Sequence, residues 1–344
     1  MRHCMGVLVV AIALLGFASC GEDSFLNRRE LADNRKEVTE IMVHVDWNKH
    51  ADGNPTGMSV YTYGQDGDNE RDVSNNVDSM LLDRPMGQYR LLVFNLSTDE
   101  FGSMDFHDMD NIDSARAMLT PVTQRQNRTW DKGVTYQREP EALYTAVDTL
   151  DFSEQSSSVT KRSTHVTDTW RYDAWEQPKP AITRLVIRVR IEAIRNLKSV
   201  EGSISGFSSG YYFGRNCGTD STGTHLLDSW KVTVDSVGAA NGYITTTIST
   251  FGLPPKSVHQ ANENVLKLAI TLADNTIRVY TLDVGNQFVV LPDDEGGSGL
   301  SYQMTLYGKL ADITLPTVKP SEEGSGFDAE VDDWDNGGNY DIVF

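Results

Sequence analysis

This sequence predicts an all-β chain built as two β-sandwich domains in tandem, and three observations lead there. Short runs rich in β-branched and aromatic residues recur along the chain, several alternating apolar and polar side chains as a half-buried strand must. Gly, Pro, Asn-Gly or Asp-Asn steps punctuate many of these runs. Few stretches carry a helical period, which favours sandwiches over mixed folds. At 344 residues the chain exceeds one ordinary core and suits two domains of roughly 150 residues each. A hydrophobic content of 39% and a mean hydropathy of -0.38 describe a packed globular body, neither disordered nor membrane-spanning.

Order is expected to begin near Val38. In Ile41-Met42-Val43-His44-Val45-Asp46-Trp47 the apolar side chains fall on alternate positions, a half-buried strand. Met58 to Tyr63 and Tyr89 to Phe94 are β-rich runs entered through Gly or Pro. Between them, Gly64 to Asn76 reads as an acidic loop. Asp113 to Leu119 reads as one or two helical turns, and Leu143 to Val147 and Thr164 to Trp170 as strands. Gln177-Pro178-Lys179-Pro180 interrupts the pattern, because two prolines disfavour both helix and central strand. The boundary is placed there, giving domains over residues 38–178 and 179–344.

The second half opens with Ile182 to Ile194, where Ile182, Arg184, Val186, Arg188, Arg190 and Glu192 mix characters but β-branched residues dominate. Strand-like runs follow at Ser199 to Ser205, Trp230 to Val237, Tyr243 to Ser249, Val265 to Leu272, Ile277 to Val284 and Phe288 to Leu291. Acidic loops at Asp293 to Gly299 and Ser321 to Gly326 precede the tail. No internal repeat is evident.

The N-terminus carries a different pattern. Met1-Arg2-His3 is a basic start, Met5 to Ala18 is almost unbroken apolar sequence, and Phe17-Ala18-Ser19-Cys20 closes it. This is the layout of a secretory signal, too short for the roughly 20 residues that span a bilayer. Residues 1–19 are expected to leave as a signal peptide, and the polar residues 20–37 to act as a tether. The formal charge is -19, and -20 once Arg2 has left, so the body repels phosphate backbones and nucleic acid is not an expected partner. Of three cysteines, Cys4 leaves with the signal and Cys20 sits at the cut. Cys217 is then alone, no internal disulfide forms, and packed cores must supply stability. Lacking a CxxC or nearby histidine, Cys217 reads as a structural or incidental thiol rather than a nucleophile.

Small residues followed by Cys20 resemble the lipobox of bacterial lipoproteins, which implies that Cys20 is the lipidated first residue of the mature chain. One acyl chain anchors only marginally, at about 0.8 kcal/mol per CH₂, but several together hold a protein on a membrane. Glu22 and Asp23 resemble the acidic export signal of Bacteroidales lipoproteins, implying the outer face of the outer membrane. Further along, Pro55-Thr56-Gly57-Met58-Ser59-Val60-Tyr61 with Met86-Gly87-Gln88-Tyr89-Arg90-Leu91-Leu92-Val93-Phe94-Asn95 resembles the first domain of fimbrillin-like lipoproteins from Bacteroidales. Ile182 to Leu197 running into Val200-Glu201-Gly202-Ser203-Ile204-Ser205-Gly206-Phe207-Ser208-Ser209-Gly210 resembles their second domain, and Asp333-Trp334 to Phe344 their short C-terminal strand.

The resemblance implies two transthyretin-like β-sandwich domains and a lipid-anchored, non-enzymatic surface protein without cofactors. It further implies a fimbrial anchor or minor subunit of type V pili, with pilin subunits as partners. Such subunits assemble by strand addition: a neighbour's extended segment completes an open sheet edge through main-chain hydrogen bonds. The candidate strand is Tyr340-Asp341-Ile342-Val343-Phe344, preceded by the flexible Asn336-Gly337-Gly338-Asn339. The alternative is that this segment closes the sheet of its own domain.

Other chemistry finds less support. Gly206-Phe207-Ser208-Ser209-Gly210 matches G-x-S-x-G, but Tyr211-Tyr212-Phe213-Gly214 is a poor helix start, so a hairpin is expected rather than a nucleophile elbow. His3, His44, His50, His107, His165, His225 and His259 form no HExxH or close ligand pair, so no zinc or base role is assigned. Asp108 to Asp113 and Asp333 to Gly337 crowd oxygen ligands as calcium loops do, yet lack the closing Glu and read as solvated acidic loops. Asp113-Ser114-Ala115 and Asp148-Thr149-Leu150 resemble a short Bacteroidetes O-glycosylation sequon, a pattern short enough to arise by chance. Six tryptophans and 13 tyrosines offer stacking platforms for sugars, with Trp47, Trp130, Trp170 and Trp175 foremost, although sandwich aromatics are more often core. The rival to the fimbrial reading is therefore a monomeric surface glycan-binding lipoprotein, which needs an exposed aromatic platform. An exported hydrolase would need a clustered acid/base site, and the sequence offers none.

Overall fold

The computed structural model describes residues 36–48, 53–65, 67, 69–122, 128–164, 166–255, 263–285, 287–291, 303–307 and 313–318. In chain order the strands begin with β1 (Lys36–Val45), β2 (Met58–Gly64), β3 (Asn69–Ser74), β4 (Ser79–Asp83), β5 (Gly87–Asn95) and β6 (Met104–His107). There follow β7 (Arg116–Leu119), β8 (Tyr136–Gln137), β9 (Tyr144–Phe152), β10 (Val159–Ser163), β11 (Thr167–Glu176) and β12 (Lys179–Pro180). Next come β13 (Thr183–Glu192), β14 (Leu197–Ser208), β15 (Gly210–Tyr212), β16 (Cys217–Gly218), β17 (Thr222–Leu227) and β18 (Lys231–Val234). The series closes with β19 (Gly242–Thr250), β20 (Val265–Leu272), β21 (Ile277–Asp283), β22 (Phe288–Leu291), β23 (Gln303–Tyr307) and β24 (Ile313–Thr314). Among the described residues strands predominate, and the helices are two three-residue turns, Thr98–Glu100 and Ile194–Asn196, so the all-β expectation holds.

The chain divides into two compact units. One comprises Met1–Val43, Leu81–Gly87 and Asp151–Ala174; the other comprises His44–Met80, Gln88–Leu150 and Trp175–Phe344. The first holds most of a four-stranded sheet of order β10-β11-β1-β4. Ile41, Val43, Leu82 and Phe152 are buried, and Phe152 meets the Tyr172 ring edge-on at 6.1 Å. The expected alternation of β1 is present: Ile41, Val43, Val45 and Trp47 are buried, while Met42 and His44 are half-buried and Asp46 is exposed.

The second unit contains a five-stranded sheet of order β12-β9-β5-β2-β3. Every residue from Met58 to Tyr63 is buried, so β2 is a central strand covered on both faces and needs no polar side. One face carries Tyr61, Leu92 and Phe94, which pack with Met104, Ala117, Tyr211, Phe213 and Phe251. Phe94 stacks on Phe106 and Phe213 with centroids 5.5 and 5.6 Å away. This cluster is roofed by a small sheet of order β16-β15-β7-β6. Its strands come from both sides of Pro180, through the pairs Gly210↔Met118, Tyr211↔Ala117 and Tyr212↔Arg116.

Two further sheets face each other as a sandwich, of orders β18-β19-β13-β23-β22 and β21-β20-β14-β17-β8. Leu185, Ile187, Val189 and Ile191 of β13 share one core with Ile204, Phe207, Leu227, Leu266, Leu268 and Ile270 of the opposite sheet. Each such side chain contributes about 1.5–3 kcal/mol by leaving water. The mixed appearance of this segment resolves into strict alternation, with those four residues inward and Arg184, Val186, Arg188 and Arg190 outward. The outward arginines have a partner on β19: the Arg188 guanidinium lies 3.8 Å over the Tyr243 ring, and Arg190 donates to the Tyr243 hydroxyl at 2.9 Å.

Three segments differ from expectation. Gly64 to Asn76, read as loop, contains β3, an edge strand whose Glu70, Arg71 and Asp72 suit a position open to water. Asp113 to Leu119, read as helical, is a turn followed by β7, paired to β6 on one side and β15 on the other. Pro180 lies within a strand after all, but at the sheet edge opposite Tyr144, where a missing N–H leaves no ladder bond broken.

Candidate functional site

Cys20, Glu22, Asp23 and the strand Tyr340 to Phe344 lie outside the described residues, as do Asp333 to Gly337, His3, His50, His165 and His259. The structure speaks instead to the surfaces and clusters between them.

Exposed apolar side chains concentrate on sheet edges. Val73 on β3, Leu81 on β4, Val234 on β18, and Ile277 and Val279 on β21 all sit on the last strand of a sheet. An edge presents unpaired main-chain donors and acceptors, which charge commonly guards. Glu70, Arg71 and Asp72 guard β3, and Lys161 and Arg162 guard β10. The seven-residue β21 is the longest edge strand among the described residues, and Arg278 is its sole charge before the terminal Asp283.

The G-x-S-x-G segment is not an elbow. β14 runs through Ser208 and β15 begins at Gly210, with no helix between. Gly206 forms a bulge at φ 90°, and a Cβ there would lie 2.3 Å from the Glu263 carbonyl. The buried Ser208 hydroxyl donates to the Thr219 carbonyl at 2.9 Å. Its role is to hold neighbouring backbone together.

The acidic turn at Asp108 to Asp113 is neutralised by arginines: Asp108 pairs with Arg116, and Asp113 with Arg90. The Asn111 side chain accepts from the Asp113 N–H at 3.0 Å. Among the described residues, no group of three or more His, Cys, Asp or Glu could hold a metal ion.

Local sequence gives no sign of the cluster around Asp131. This carboxylate is 1% exposed and accepts from Lys267 Nζ at 2.6 Å, Tyr136 Oη at 2.8 Å and Ser203 Oγ at 2.9 Å. The donors sit on β20, β8 and β14, so one side chain pins its loop to three strands. Burial alone would raise its pKa, but these hydrogen bonds hold the carboxyl below the usual range. Burial and the bond to Asp131 push the Tyr136 hydroxyl up. With Ser203 donating to a carboxylate and Lys267 paired to it, the cluster is a structural clamp.

Two more buried ionisable side chains hold polar atoms without a hydrogen-bond partner. Neither nitrogen of His225 has a partner; its ring lies edge-on to Phe207 at 6.3 Å, and burial pushes its pKa down to about 4. Glu176 Oε1 likewise has none, and burial, aided by the charge of Asp148, raises that carboxyl to about 7. Of the four tryptophans singled out by sequence, Trp47 is core, Trp130 and Trp170 are half-buried, and Trp175 is exposed.

Residues 26–228 match the family model described as a domain of unknown function, DUF5119. A Bacteroides ovatus protein named as a candidate fimbrium anchoring subunit, Fim4B, is 22% identical over 358 residues, covering 98% of this chain and 97% of that protein. The crystal structure of a candidate adhesin from Bacteroides ovatus overlays 85% of this chain and 96% of its own, with a TM-score of 0.54 and 18% identity. That overlay shows a shared fold. The fimbrial anchor protein Mfa2 from Porphyromonas gingivalis is a more distant likeness, with a TM-score of 0.46 and 11% identity over 78% of this chain and 89% of its own.

Proposed function

The chain belongs to the DUF5119 family, and from that premise we propose that it is a lipid-anchored, cell-surface structural and adhesive protein, a fimbrial anchor or minor subunit. The observation that carries this reading is the end-to-end likeness to the Bacteroides ovatus relative named for fimbrium anchoring. In this reading residues 1–19 are the signal peptide and residues 20–37 the tether, and residues 38–178 and 179–344 are successive domains. Cys20 bears the lipid, and Glu22 and Asp23 direct the product to the outer face of the outer membrane.

Contact with pilin subunits proceeds by strand addition. Each main-chain hydrogen bond so formed contributes about 0.5–1.5 kcal/mol net, and alternate side chains supply specificity. On a strand, Tyr340, Ile342 and Phe344 would share one face. The lightly charged edge β21 supports the complementary role of acceptor.

Two variants in the native host test the reading. Cys20→Ser is expected to leave the envelope fraction. Deletion of residues 340–344 is expected to leave a soluble, folded monomer that no longer co-purifies with pilin. Retention of pilin by the truncated chain would refute donation by that segment, and insolubility would show that it closes its own sheet. Cys20→Ser protein that still sediments with the envelope would refute the lipid anchor.

A further inference from the structure

Trp175 is the one described tryptophan that the fold leaves in water. Trp47 is buried and its indole N–H donates to the Val77 carbonyl at 2.8 Å. Trp230 packs on the sandwich core and donates to Leu227 at 3.0 Å. Trp130 reaches Glu201, and Trp170 lies 4.3 Å beneath the Lys161 ammonium. Trp175, by contrast, is 75% exposed, an apolar surface that gains nothing for the isolated fold.

That exposure is not slack. The indole stacks on His44 with ring centroids 4.1 Å apart and planes 14° apart. With one face against the imidazole and three quarters of its surface still in water, the opposite face is flat and open.

Polar groups stand beside the ring in a fixed arrangement. Burial alternates from Ala174 to Pro180 and from Ile41 to Asn48. Trp175 and Gln177 therefore share one side of their strand, and His44 and Asp46 share one side of theirs. The Asp46 N–H donates to the Glu176 carbonyl at 2.8 Å, which registers the two segments. One residue pair beyond the stacked rings, about 7 Å along the strands, Gln177 Nε2 donates to Asp46 Oδ2 at 3.2 Å. The other carboxylate oxygen accepts from the Asn48 N–H at 3.0 Å.

We propose that this face is a binding site for neutral pyranose units of a polysaccharide. The C–H face of a pyranose is flat and apolar and matches an open indole, while its rim of hydroxyls both donates and accepts. Asp46 supplies acceptor lone pairs, and Gln177 supplies a carbonyl and a second amide proton beyond the one given to Asp46. Because the carboxylate and carboxamide already hold each other, and the indole is braced by His44, little ordering is left for the ligand to impose. An apolar protein anchor would want an apolar rim, and this rim is carboxylate, carboxamide and imidazole. The formal charge of -19 disfavours polyanionic glycans and narrows the class to neutral sugars. This inference stands apart from the fimbrial reading, since it uses neither the lipid nor a sheet edge.

The test is calorimetric titration of the full-length mature chain with cellohexaose, laminarihexaose, mannohexaose and chitohexaose, with heparin as the polyanionic control. At least one neutral hexasaccharide is expected to bind saturably and shift tryptophan emission to the blue. Trp175→Ala should weaken that binding roughly tenfold or more, and Gln177→Ala by roughly three- to tenfold. Both variants should melt as the wild type does, because the side chains are exposed, so lost binding reads as loss of the site. Absence of binding by all four neutral probes, binding of heparin alone, or equal affinity in Trp175→Ala would each overturn the proposal. Envelope retention and pilin co-purification of Trp175→Ala should be unchanged, which separates failure here from failure of the fimbrial reading.

Discussion

Replacing Asp131 with alanine removes one acceptor from three donors at once. The two hydroxyl bonds, from Tyr136 and Ser203, are each worth about 1 kcal/mol, and the charge-assisted bond from Lys267 about 1.5–3 kcal/mol. The lysine side chain is 34% exposed, so its ammonium recovers water and its share falls to about 1 kcal/mol. The two hydroxyls have less access to solvent and stay costly, which leaves a net loss of about 3 kcal/mol. Urea denaturation at pH 7, followed by tryptophan emission and far-ultraviolet circular dichroism, should show a lower midpoint at unchanged slope. In combination with Lys267→Met the losses should be less than additive, since the second change removes the stranded charge. A loss below about 1 kcal/mol, or strict additivity, would refute the clamp. The pH dependence adds a check. The folded carboxyl is held below its unfolded value, so this stability is present above about pH 4 and disappears as pH falls through the folded pKa. Asp131→Asn should lack that acid-labile part.

Other consequences run in both directions with pH. Glu176 binds its proton more tightly folded than unfolded, so stability falls as pH rises from about 4.5 to 7. Glu176→Gln should be more stable by about 2–3 kcal/mol above pH 7 and nearly unchanged near pH 4, in a pH series of thermal melts; a pH-independent difference would contradict this. His225 behaves oppositely, since burial holds its folded pKa at about 4, below the ordinary histidine value of 6.5. Wild-type stability should drop by up to about 3 kcal/mol between those values on acidification, and His225→Leu should flatten that decline in the same melts. Gly206→Ala should cost about 2–4 kcal/mol in urea, combining a left-handed backbone with contact against the Glu263 carbonyl. An unchanged midpoint would mean that the bulge relaxes freely.

Strands buried on one face are legible from the residues alone. β1, β13 and β20 announce themselves because period-two alternation or β-branched content is a local property, set by which side of a pleat each residue takes. The basic start, apolar run and small residues before Cys20 are an equally local pattern. Edge strands are not: β3 and β10 are polar because both their faces meet water, so nothing separates them from loop until a neighbour pairs with them. β7 illustrates a conflict between levels. Ala115-Arg116-Ala117-Met118-Leu119 favours helix intrinsically, but strands on both sides impose an extended backbone, one of them about ninety residues later in sequence.

The site divides the same way. Aromatic content marked four tryptophans, yet which of them stays in water depended on strand parity and on a hydrogen bond between residues 131 positions apart. Lys267 sits between Leu266 and Leu268 as an ordinary outward residue, and its partner lies 136 positions away. Sequence by itself determined which segments could be strands. Only the tertiary structure decided which side chains meet, because pairing across such separations is settled by closing the sheets rather than by any residue's neighbours in the chain.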